Sequence, residues 1–422
     1  MIRFYNGKIL RFDGGAHLTA DEVWTDGAVI AYVGPGREDA PAFEREIDLG
    51  GDLLMPGFKN AHTHTAMTFV RSLADDLPLD TWLSEKVWPL EAKLDAESIY
   101  AFTRLGVLEY LSSGITASFD MYYQNEANAQ ANIDCGFRSV FCSPFNDFDK
   151  DVDNIEREYL HFNALHPLIS YRLGIHAEYT TSMPRLEFMA SLAEKYRTPC
   201  FTHLCETKAE VEGCIGRYGL TPPQILDRLG FFRYGGGGFH CVWMSDEDVE
   251  LFARKGLFVI NCPASNLKLA SGIAPIERMR LAGIRIGIGT DGAGSNNALD
   301  MFREMYLTSA LQKVLLSDAA ACPADAVLEM ACVGGARAMG LDDCTDVAPG
   351  MRADLVVLDL RLPNMQPENN VIKNVVYAGS KENVRLTMVE GAVRYERGEF
   401  FVGDSAERIY AEANANLRRL RV

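Results

Sequence analysis

Both ends of the chain are built from short apolar runs separated by Gly and Asp-Gly turns. Such runs lie at 3–5, 8–10 and 28–33 near the amino terminus, and at 353–360 and 384–389 near the carboxyl terminus. Runs of this length between turn residues are typical of β-strands. We therefore expect both ends to be rich in β-structure.

The middle of the chain follows a different pattern, in which short apolar runs alternate with amphipathic helical stretches. After Asp95, for example, apolar residues recur at helical spacing from Ile99 to Leu108, and a strand-like run follows at 115–120. This alternation repeats about eight times, which is the pattern of a TIM barrel.

The predicted fold is therefore α/β, a distorted TIM (β/α)8 barrel that spans residues 57–345. The two β-rich ends are expected to meet beside it as one small β-sandwich domain, composed of residues 1–56 and 346–422. The barrel would then interrupt this smaller domain in the sequence and carry the chemistry at its strand ends.

The composition is that of an ordinary globular protein, with 48% hydrophobic and 23% charged residues. The 41 Lys and Arg against 58 Asp and Glu give a formal net charge of −17, which argues against a nucleic-acid or anionic-membrane partner. No apolar stretch reaches the roughly 18 residues that a membrane span needs, and no secretory leader is recognised. The ten cysteines lack zinc-ribbon spacing, so reduced thiols and a cytoplasmic location are expected.

Residues able to bind a metal or move protons fall at the ends of five predicted strands, where a barrel displays its catalytic groups. An HxH pair places two imidazoles on the same side of an extended segment, and HxxE places an imidazole and a carboxylate after another strand. Taken singly, each has a structural alternative, such as a chance pair, a satisfied histidine or a helix-capping aspartate. The candidates are His62, His64, His176, His203, Glu206, His240 and Asp291.

The order of these residues along the chain is more specific than any one of them. HTH at 62–64, a histidine at 176, HLCE at 203–206, HCVW at 240–243 and GTDG at 289–292 together resemble the amidohydrolase superfamily. Longer strings look like the 5′-methylthioadenosine/S-adenosylhomocysteine deaminase family, and the resemblance runs through essentially the whole chain. These strings are ADDLPL at 74–79, WPLE at 88–91, PASNLKLASGIAP at 263–275 and GTDGAGSNN at 289–297.

The resemblance implies a hydrolytic deaminase that converts the 6-amino group of adenine nucleosides to the inosine-type product and ammonia by a metal-bound hydroxide. His62, His64, His203 and Asp291 match the family's ligands for one divalent metal, with zinc expected and iron or manganese as alternatives. No lysine stands at 174–178, where binuclear relatives carry a carbamylated bridge, and this favours one metal over two.

Four further roles follow from the resemblance. Glu206 matches the acid/base residue that protonates the purine ring, and His240 matches the residue that orients the water. Glu91 and His176 match positions that contact the nucleoside. The chemistry agrees with this set, because a zinc-bound water has a pKa near 7 and attack at C6 requires a proton on the adjacent ring nitrogen. Asp291 can both bind the metal and accept the proton of its water.

The segment 143–158 bears on the substrate, because it is expected near the far end of the nucleoside. Relatives that take S-adenosylhomocysteine are expected to place arginines there, since a carboxylate favours a bidentate guanidinium. This chain has four aspartates and only Lys150 and Arg157. We predict a preference for adenosine, 5′-deoxyadenosine and 5′-methylthioadenosine over S-adenosylhomocysteine, the alternative being a solvated loop that contacts no substrate.

Other functions stay open at this point. The protein could be an aminohydrolase of another amino-heterocycle, such as an s-triazine, guanine or an oxidised purine, or a non-catalytic scaffold on the same fold. A cytidine-deaminase signature around His176, Glu178 and Cys200 is incomplete, since the second cysteine is displaced. The expected partner is a small-molecule nucleoside or amino-heterocycle, with no nucleic acid and no membrane, and a homo-oligomer is left open.

Overall fold

The structure, a computed structural model, describes residues 1–73, 75–77 and 81–421. Its strands, in chain order, are β1 (Ile2–Tyr5), β2 (Lys8–Arg11), β3 (His17–Thr19), β4 (Glu22–Asp26), β5 (Val29–Gly34), β6 (Arg45–Asp48), β7 (Leu53–Pro56), β8 (Phe58–Thr63), β9 (Ile115–Asp120), β10 (Arg138–Cys142), β11 (Ile169–Ala177), β12 (Cys200–Leu204), β13 (Gly236–His240), β14 (Phe258–Asn261), β15 (Arg285–Ile288), β16 (Leu355–Leu358), β17 (Val384–Val389), β18 (Ala392–Glu396) and β19 (Glu399–Phe400).

The α-helices of the described chain are α1 (Trp88–Glu91), α2 (Ala96–Ser112), α3 (Asn125–Cys135), α4 (Asn154–Leu165), α5 (Met183–Tyr196), α6 (Lys208–Tyr218), α7 (Pro222–Arg228), α8 (Asp246–Lys255), α9 (Pro263–Lys268), α10 (Ile276–Leu281), α11 (Met301–Leu316), α12 (Ala324–Glu329), α13 (Gly335–Met339), α14 (Val371–Tyr377) and α15 (Ala406–Leu420). Single 3-10 turns lie at Thr65–Val70, Glu178–Thr180, Asp342–Cys344, Pro363–Met365 and Lys381–Asn383, and π-helical turns lie at Trp82–Val87 and Met330–Gly334.

Strands β8 to β15 form one parallel sheet in which every strand pairs with the next strand along the chain. The sheet curves until its two edges meet, and the Asp291 N–H just after β15 donates to the His62 carbonyl of β8 at 2.9 Å. Gly289 permits this approach, because a Cβ there would lie 2.6 Å from the His62 backbone nitrogen. The predicted TIM barrel is confirmed, and its strands all end at one face.

Aromatic side chains fill the interior of the barrel directly beneath that face. Phe119, Phe201 and Phe239 come from three different strands, and the rings of Phe119 and Phe201 meet edge to face with centroids 4.9 Å apart. The His62 imidazole stacks on Phe239 with centroids 3.9 Å apart. The packed barrel interior is therefore the floor on which the strand-end residues rest.

Several elements lie where the hydrophobic pattern predicts them. Helix α2 begins after Asp95, whose side chain accepts the Ser98 N–H at 2.9 Å as an N-cap. Its buried face includes Ile99, Phe102 and Leu108. Strand β9 begins at Ile115, as the strand-like run after this helix predicts.

The two ends of the chain form two further sheets, with strand orders β5-β4-β1-β6 and β19-β18-β17-β16-β7-β2-β3. The second sheet combines amino-terminal and carboxyl-terminal strands, since β7 pairs antiparallel with β16. Phe4 and Val23 of the first sheet share a buried cluster with Leu355 and Met388 of the second. The division of the chain at residues 56 and 346 stays a prediction.

Helix α15 packs on helix α2 of the barrel. Arg104 of α2 pairs with Asp404 just before α15 at 3.0 Å, and Arg419 near its end pairs with Asp95 at 2.8 Å. All ten cysteines lie within the described ranges, and each is a buried free thiol. In the same ranges, each helix is too short or too polar to cross a membrane.

Candidate metal centre and substrate cleft

The barrel brings the sequence-predicted residues together at the carboxyl ends of its strands. Because all eight strands run parallel, these ends share one face, and residues two apart in β8 point to the same side. The residues gathered there are His62 and His64 from the end of β8, His176 from β11, His203 from β12, Glu206 just beyond it, His240 ending β13 and Asp291 after β15.

Three imidazoles form a cluster suited to one metal ion. A ring nitrogen from each of His62, His64 and His203 lies within 4.8 Å of the other two. His62 is fully buried, and neither of its ring nitrogens has a hydrogen-bond partner among the described residues. A buried polar atom without a partner is destabilising, and a metal ion would satisfy it. The donor set therefore fits a divalent metal.

Backbone carbonyls hold the outer nitrogens of two of these rings. The Nδ1 of His64 lies 2.5 Å from the Met121 carbonyl oxygen, and the Nδ1 of His203 lies 2.7 Å from that of His176. A metal-ligating histidine commonly donates its second N–H in this way, and the bond sets both tautomer and ring orientation. The Nε2 of each ring is thus left for the centre of the cluster.

Asp291 supplies an acidic oxygen beside the imidazoles. Its Oδ1 lies 3.5 Å from His62 Nε2 and 3.2 Å from His64 Nε2. Burial alone would raise the pKa of Asp291, but the neighbouring His62 and His64 hold that pKa well below its usual range. Burial also lowers the pKa of His62 to about 3, so that imidazole is neutral at pH 7, as metal ligation requires.

Glu206 and His240 face each other on the rim of the cluster. Their Oε2 and Nε2 atoms lie 3.9 Å apart, and Glu206 Oε1 accepts the Ser271 hydroxyl at 3.1 Å. The Nδ1 of His240 donates to the Asn266 side-chain oxygen at 2.8 Å. Because an amide oxygen only accepts, the bond to Asn266 uses the Nδ1–H and leaves Nε2 facing Glu206. The site thus places a carboxyl group and an imidazole nitrogen side by side.

A cleft of about 730 Å³, including its open mouth, leads from the bulk solvent to these residues. Glu91 lies in its wall, where burial raises the pKa of the carboxyl group and Tyr122 donates a hydrogen bond to it at 2.8 Å. His176 also lines the cleft, and burial lowers its pKa to about 4. Aromatic residues form much of the remaining wall, namely Trp82, Trp88, Tyr122, Tyr123 and Tyr179.

The segment 143–158 reaches the mouth of this cleft. Pro144 lines the cleft itself, and Phe148 and Asp149 line an adjoining groove that shares Trp88 and Tyr123 with it. Among the described residues that line the cleft and the groove, none is a lysine or an arginine.

The neighbouring arginines are already engaged by other groups. Arg157 is paired with Asp151 on the exposed surface. Arg185 donates to the Asn146 and Asp149 carbonyls at 2.7 Å each. These guanidinium groups therefore stabilise the loop itself.

The sequence did not predict which side chains hold the Asp291 carboxylate in place. Ser265 and Ser295 both donate to Asp291 Oδ2, at 2.5 and 2.7 Å. Both lie in the segments that follow barrel strands, within the strings at 263–275 and 289–297. A hydroxyl side chain in a segment at the carboxyl ends of the strands is the signal by which they could have been found.

A nearly closed parallel barrel that gathers imidazoles and a carboxylate at its strand ends defines the class of metal-dependent barrel hydrolases. The chain belongs to one family of this class, since residues 53–394 match the Amidohydrolase family. This confirms the superfamily that the order of the motifs predicts, and the protein is accordingly a metal-dependent aminohydrolase.

Individual relatives are similar over almost the whole chain. A 5-methylthioadenosine/S-adenosylhomocysteine deaminase of Pelotomaculum thermopropionicum is 39% identical over 413 residues, 95% of each chain. A 5′-deoxyadenosine deaminase of Methanothermobacter thermautotrophicus is 39% identical over 363 residues, 84% of this chain and 85% of its own. The crystal structure of an adenosine deaminase from Xanthomonas campestris with bound zinc has a TM-score of 0.94 and 31% identity, covering 100% of this chain and 98% of its own.

Proposed function

We propose that this protein is a hydrolytic deaminase that replaces the 6-amino group of adenine nucleosides with oxygen and releases ammonia. The observation that carries the proposal is the placement of Glu206 and His240 together on the rim of a three-histidine, one-aspartate cluster. The deaminase names of relatives at 39% identity support the same chemistry.

In this proposal one divalent metal is held by His62, His64, His203 and Asp291. Zinc is the first choice, because the Xanthomonas campestris relative binds it, and iron or manganese suits the same donors. When bound, such a metal lowers the pKa of a coordinated water to about 7. Burial lowers the pKa of His62 and the pKa of His203, so both rings are neutral and can bind the metal.

The remaining side chains move protons and hold the substrate. Glu206 gives its proton to the ring nitrogen beside C6, so that the ring can accept the oxygen without building up negative charge. His240 orients the attacking water through Nε2, and Asp291 takes the proton that this water loses. That proton then leaves with the amino group as ammonia, as the C6–N bond breaks. The hydroxyl left on C6 gives its proton to the Glu206 carboxylate as the C6=O bond forms, which restores both carboxyl groups to their starting states. Glu91 and His176 contact the nucleoside from the wall of the cleft.

The substrates we propose are adenine nucleosides with an uncharged 5′ group. Trp88, Tyr123 and Phe148 make the groove beside the cleft aromatic, and Asp149 adds an acidic group. A carboxylate placed there would be desolvated without a cationic partner, which is unfavourable. Adenosine, 5′-deoxyadenosine and 5′-methylthioadenosine are therefore expected to be better substrates than S-adenosylhomocysteine.

The test is ammonia release by the zinc-loaded protein with each of these four nucleosides at equal concentration. We expect release from the first three, with kcat/KM for S-adenosylhomocysteine lower by at least about 10-fold, because one unpaired buried charge costs at least about 1.4 kcal/mol. Comparable kcat/KM for all four would contradict the substrate range. No release from any of them, in protein shown to hold metal, would contradict nucleoside deamination and direct the search to triazines, guanine and other amino-heterocycles.

A further inference from the structure

The first turn of helix α9 contacts both of the groups that handle the protons of the water. The Ser265 hydroxyl donates to Asp291 Oδ2 at 2.5 Å, and the next residue, Asn266, accepts from His240 Nδ1 at 2.8 Å. Both of these positioning side chains are buried. Two consecutive residues therefore set the orientation of a carboxylate from β15 and an imidazole from β13.

A single buried carboxyl group holds this turn from behind. Glu304 of helix α11 is fully buried, and its Oε2 accepts the Ala264 N–H at 3.1 Å. Its Oε1 accepts the Asn296 side-chain N–H at 2.8 Å, and Asn296 also donates to the Thr290 carbonyl at 2.6 Å. Glu304 thus ties the segment before Ser265 to the segment that carries Asp291.

The same arrangement determines which oxygen of Asp291 is available. Oδ2 accepts two hydroxyl groups, from Ser265 and Ser295, while Oδ1 faces His62 and His64. The two residues that Glu304 binds, Ala264 and Asn296, are the sequence neighbours of Ser265 and Ser295. Burying a carboxyl group is unfavourable unless it is hydrogen-bonded, and both oxygens of Glu304 accept hydrogen bonds.

We propose that Glu304 is a positioning residue, which orients Asp291 and His240 together through the 264–266 turn and Asn296. The inference rests on the proposed roles of Asp291 and His240 in metal binding and deamination. Glu304 lies outside the described residues that line the cleft, so it acts only through these neighbours. Burial raises the pKa of Glu304 to about 8, while the hydrogen bonds from Ala264 and Asn296 act in the opposite direction.

The experiment compares S265A, E304L and the double variant for zinc affinity, by chelator competition, and for kcat/KM with 5′-methylthioadenosine. Each single change is expected to weaken zinc binding or kcat/KM roughly 10- to 100-fold, as for other partners of metal ligands. Because the Ser265–Asp291 bond is one of the contacts that Glu304 positions, the double variant is expected to be no worse than the more impaired of the two single variants. Zinc affinity needs no substrate, so it tests the inference even if the nucleoside assignment fails.

The matched control is S309A, which removes another buried hydroxyl from α11, one that donates to the Cys322 carbonyl at 2.7 Å. Its zinc affinity is expected to equal that of the unmodified protein. Losses that multiply in the double variant, or a folded E304L with unchanged zinc affinity and kcat/KM, would overturn the proposal. If E304L does not fold, E304Q is measured instead, because it keeps the size of the side chain and one of the two acceptor oxygens. E304Q is then measured alone and combined with S265A, and the same two results would overturn the proposal.

Discussion

His64 and His203 are oriented by backbone carbonyls, whereas His62 is oriented by the aromatic ring beneath it. The carbonyls belong to Met121, after β9, and His176, in β11. Neither bond is lost when a neighbouring side chain changes. The geometry of the candidate metal centre therefore depends on the positions of the barrel strands, and the individual ligands can be tested by substitution without disturbing those positions.

The variant H203N is expected to lose most of its bound metal, because it removes one of three imidazoles and leaves His62 and His64 as a weaker pair. Metal content per chain after dialysis is the measurement. The control is H161N, since His161 is exposed and pairs with Glu126 at 2.9 Å on the surface. Full metal content in purified H203N would contradict the assignment of His203 as a ligand.

The variant E206Q is expected to keep its metal and lose about 10²- to 10⁴-fold in kcat, the usual contribution of a general acid. The substituted glutamine has the same size and would still accept the Ser271 hydroxyl, which the Glu206 Oε1 now accepts at 3.1 Å. Steady-state kinetics together with metal analysis separate the two effects. A variant with normal kcat would show that the ring is protonated by another group.

At this scale the sequence predicted the candidate ligands, whose role stays a prediction, and missed the side chains that hydrogen-bond to them. The histidines and Asp291 follow strand ends in a recognisable order, so position along the chain is enough to find them. The bond from Ser265 to Asp291, by contrast, joins residues 26 apart and depends on where two loops meet. Whether Glu91 and His176 contact a substrate stays a prediction, although both line the cleft.

At the scale of the elements, the contact between the two edge strands of the barrel, β8 and β15, brings His62 and Asp291 together. The variant G289A adds a Cβ at 2.6 Å from the His62 nitrogen and 2.8 Å from the His62 carbonyl oxygen. Because these are backbone atoms that cannot rotate away, we expect a loss of about 1 to 3 kcal/mol in the free energy of unfolding and weaker metal binding. Urea denaturation and metal titration measure the two losses.

Gly216 provides the matched control for this prediction. It lies in the exposed helix α6, and a Cβ there would meet nothing within 4 Å. G216A is expected to leave stability unchanged or to raise it by about 0.4 to 1 kcal/mol, through the helix propensity of alanine. If G289A and G216A changed the free energy of unfolding equally, this would contradict a close backbone contact between β8 and the segment after β15.

The regular elements were predictable because their apolar residues repeat with the period of the helix or strand. Helix α5, for example, spans Met183–Tyr196, and its buried residues follow that period. The π-helical turns at Trp82–Val87 and Met330–Gly334 were not predicted, because local sequence hardly distinguishes them from an α-helix. Three residues of the ADDLPL string, at 74, 78 and 79, lie outside the described residues.

At the scale of the whole molecule, one ion-pair network joins the barrel to the sheets at the chain ends. Arg138 of β10 donates from Nε to Asp354 at 2.6 Å and also pairs with Glu390. Asp354 is buried and precedes β16, and Glu390 follows β17. The network therefore ties the third barrel strand to both neighbouring strands of the terminal sheet.

The variant R138L is expected to lower the free energy of unfolding by about 3 to 5 kcal/mol, because it leaves the Asp354 carboxylate buried without its partner. R37L, which breaks an exposed pair with Asp39 at 2.7 Å, is expected to leave the free energy of unfolding almost unchanged, because solvent screens an exposed pair. Urea denaturation at pH 7 measures both. Similar values for the two variants would contradict a stabilising role for the Arg138 network.

The effect of R138L should also depend on pH. Burial would raise the pKa of Asp354, but the Arg138 guanidinium holds that pKa below its usual range. The stabilisation is therefore complete above the ordinary aspartate pKa of about 3.9 and is lost as the pH falls through the lower, folded value. In R138L the pKa of Asp354 is expected to rise, because its guanidinium partner is gone. The gap in stability between the variant and the unmodified protein should therefore narrow as the pH falls through that raised pKa towards the lower pKa of the unmodified protein.

The pairing of β7 with β16 has a consequence for the order in which the chain folds during synthesis. β7 ends at Pro56 and its partner begins at Leu355, so at 5 to 20 residues per second the ribosome releases the second strand roughly 15 to 60 s after the first. The barrel strands emerge in the order in which they pair and can assemble during that interval. The three amino-terminal strands of the mixed sheet, β3, β2 and β7, must meanwhile wait with β7 as an open edge. That sheet becomes complete only when β16 to β19, residues 355–400, have left the ribosome.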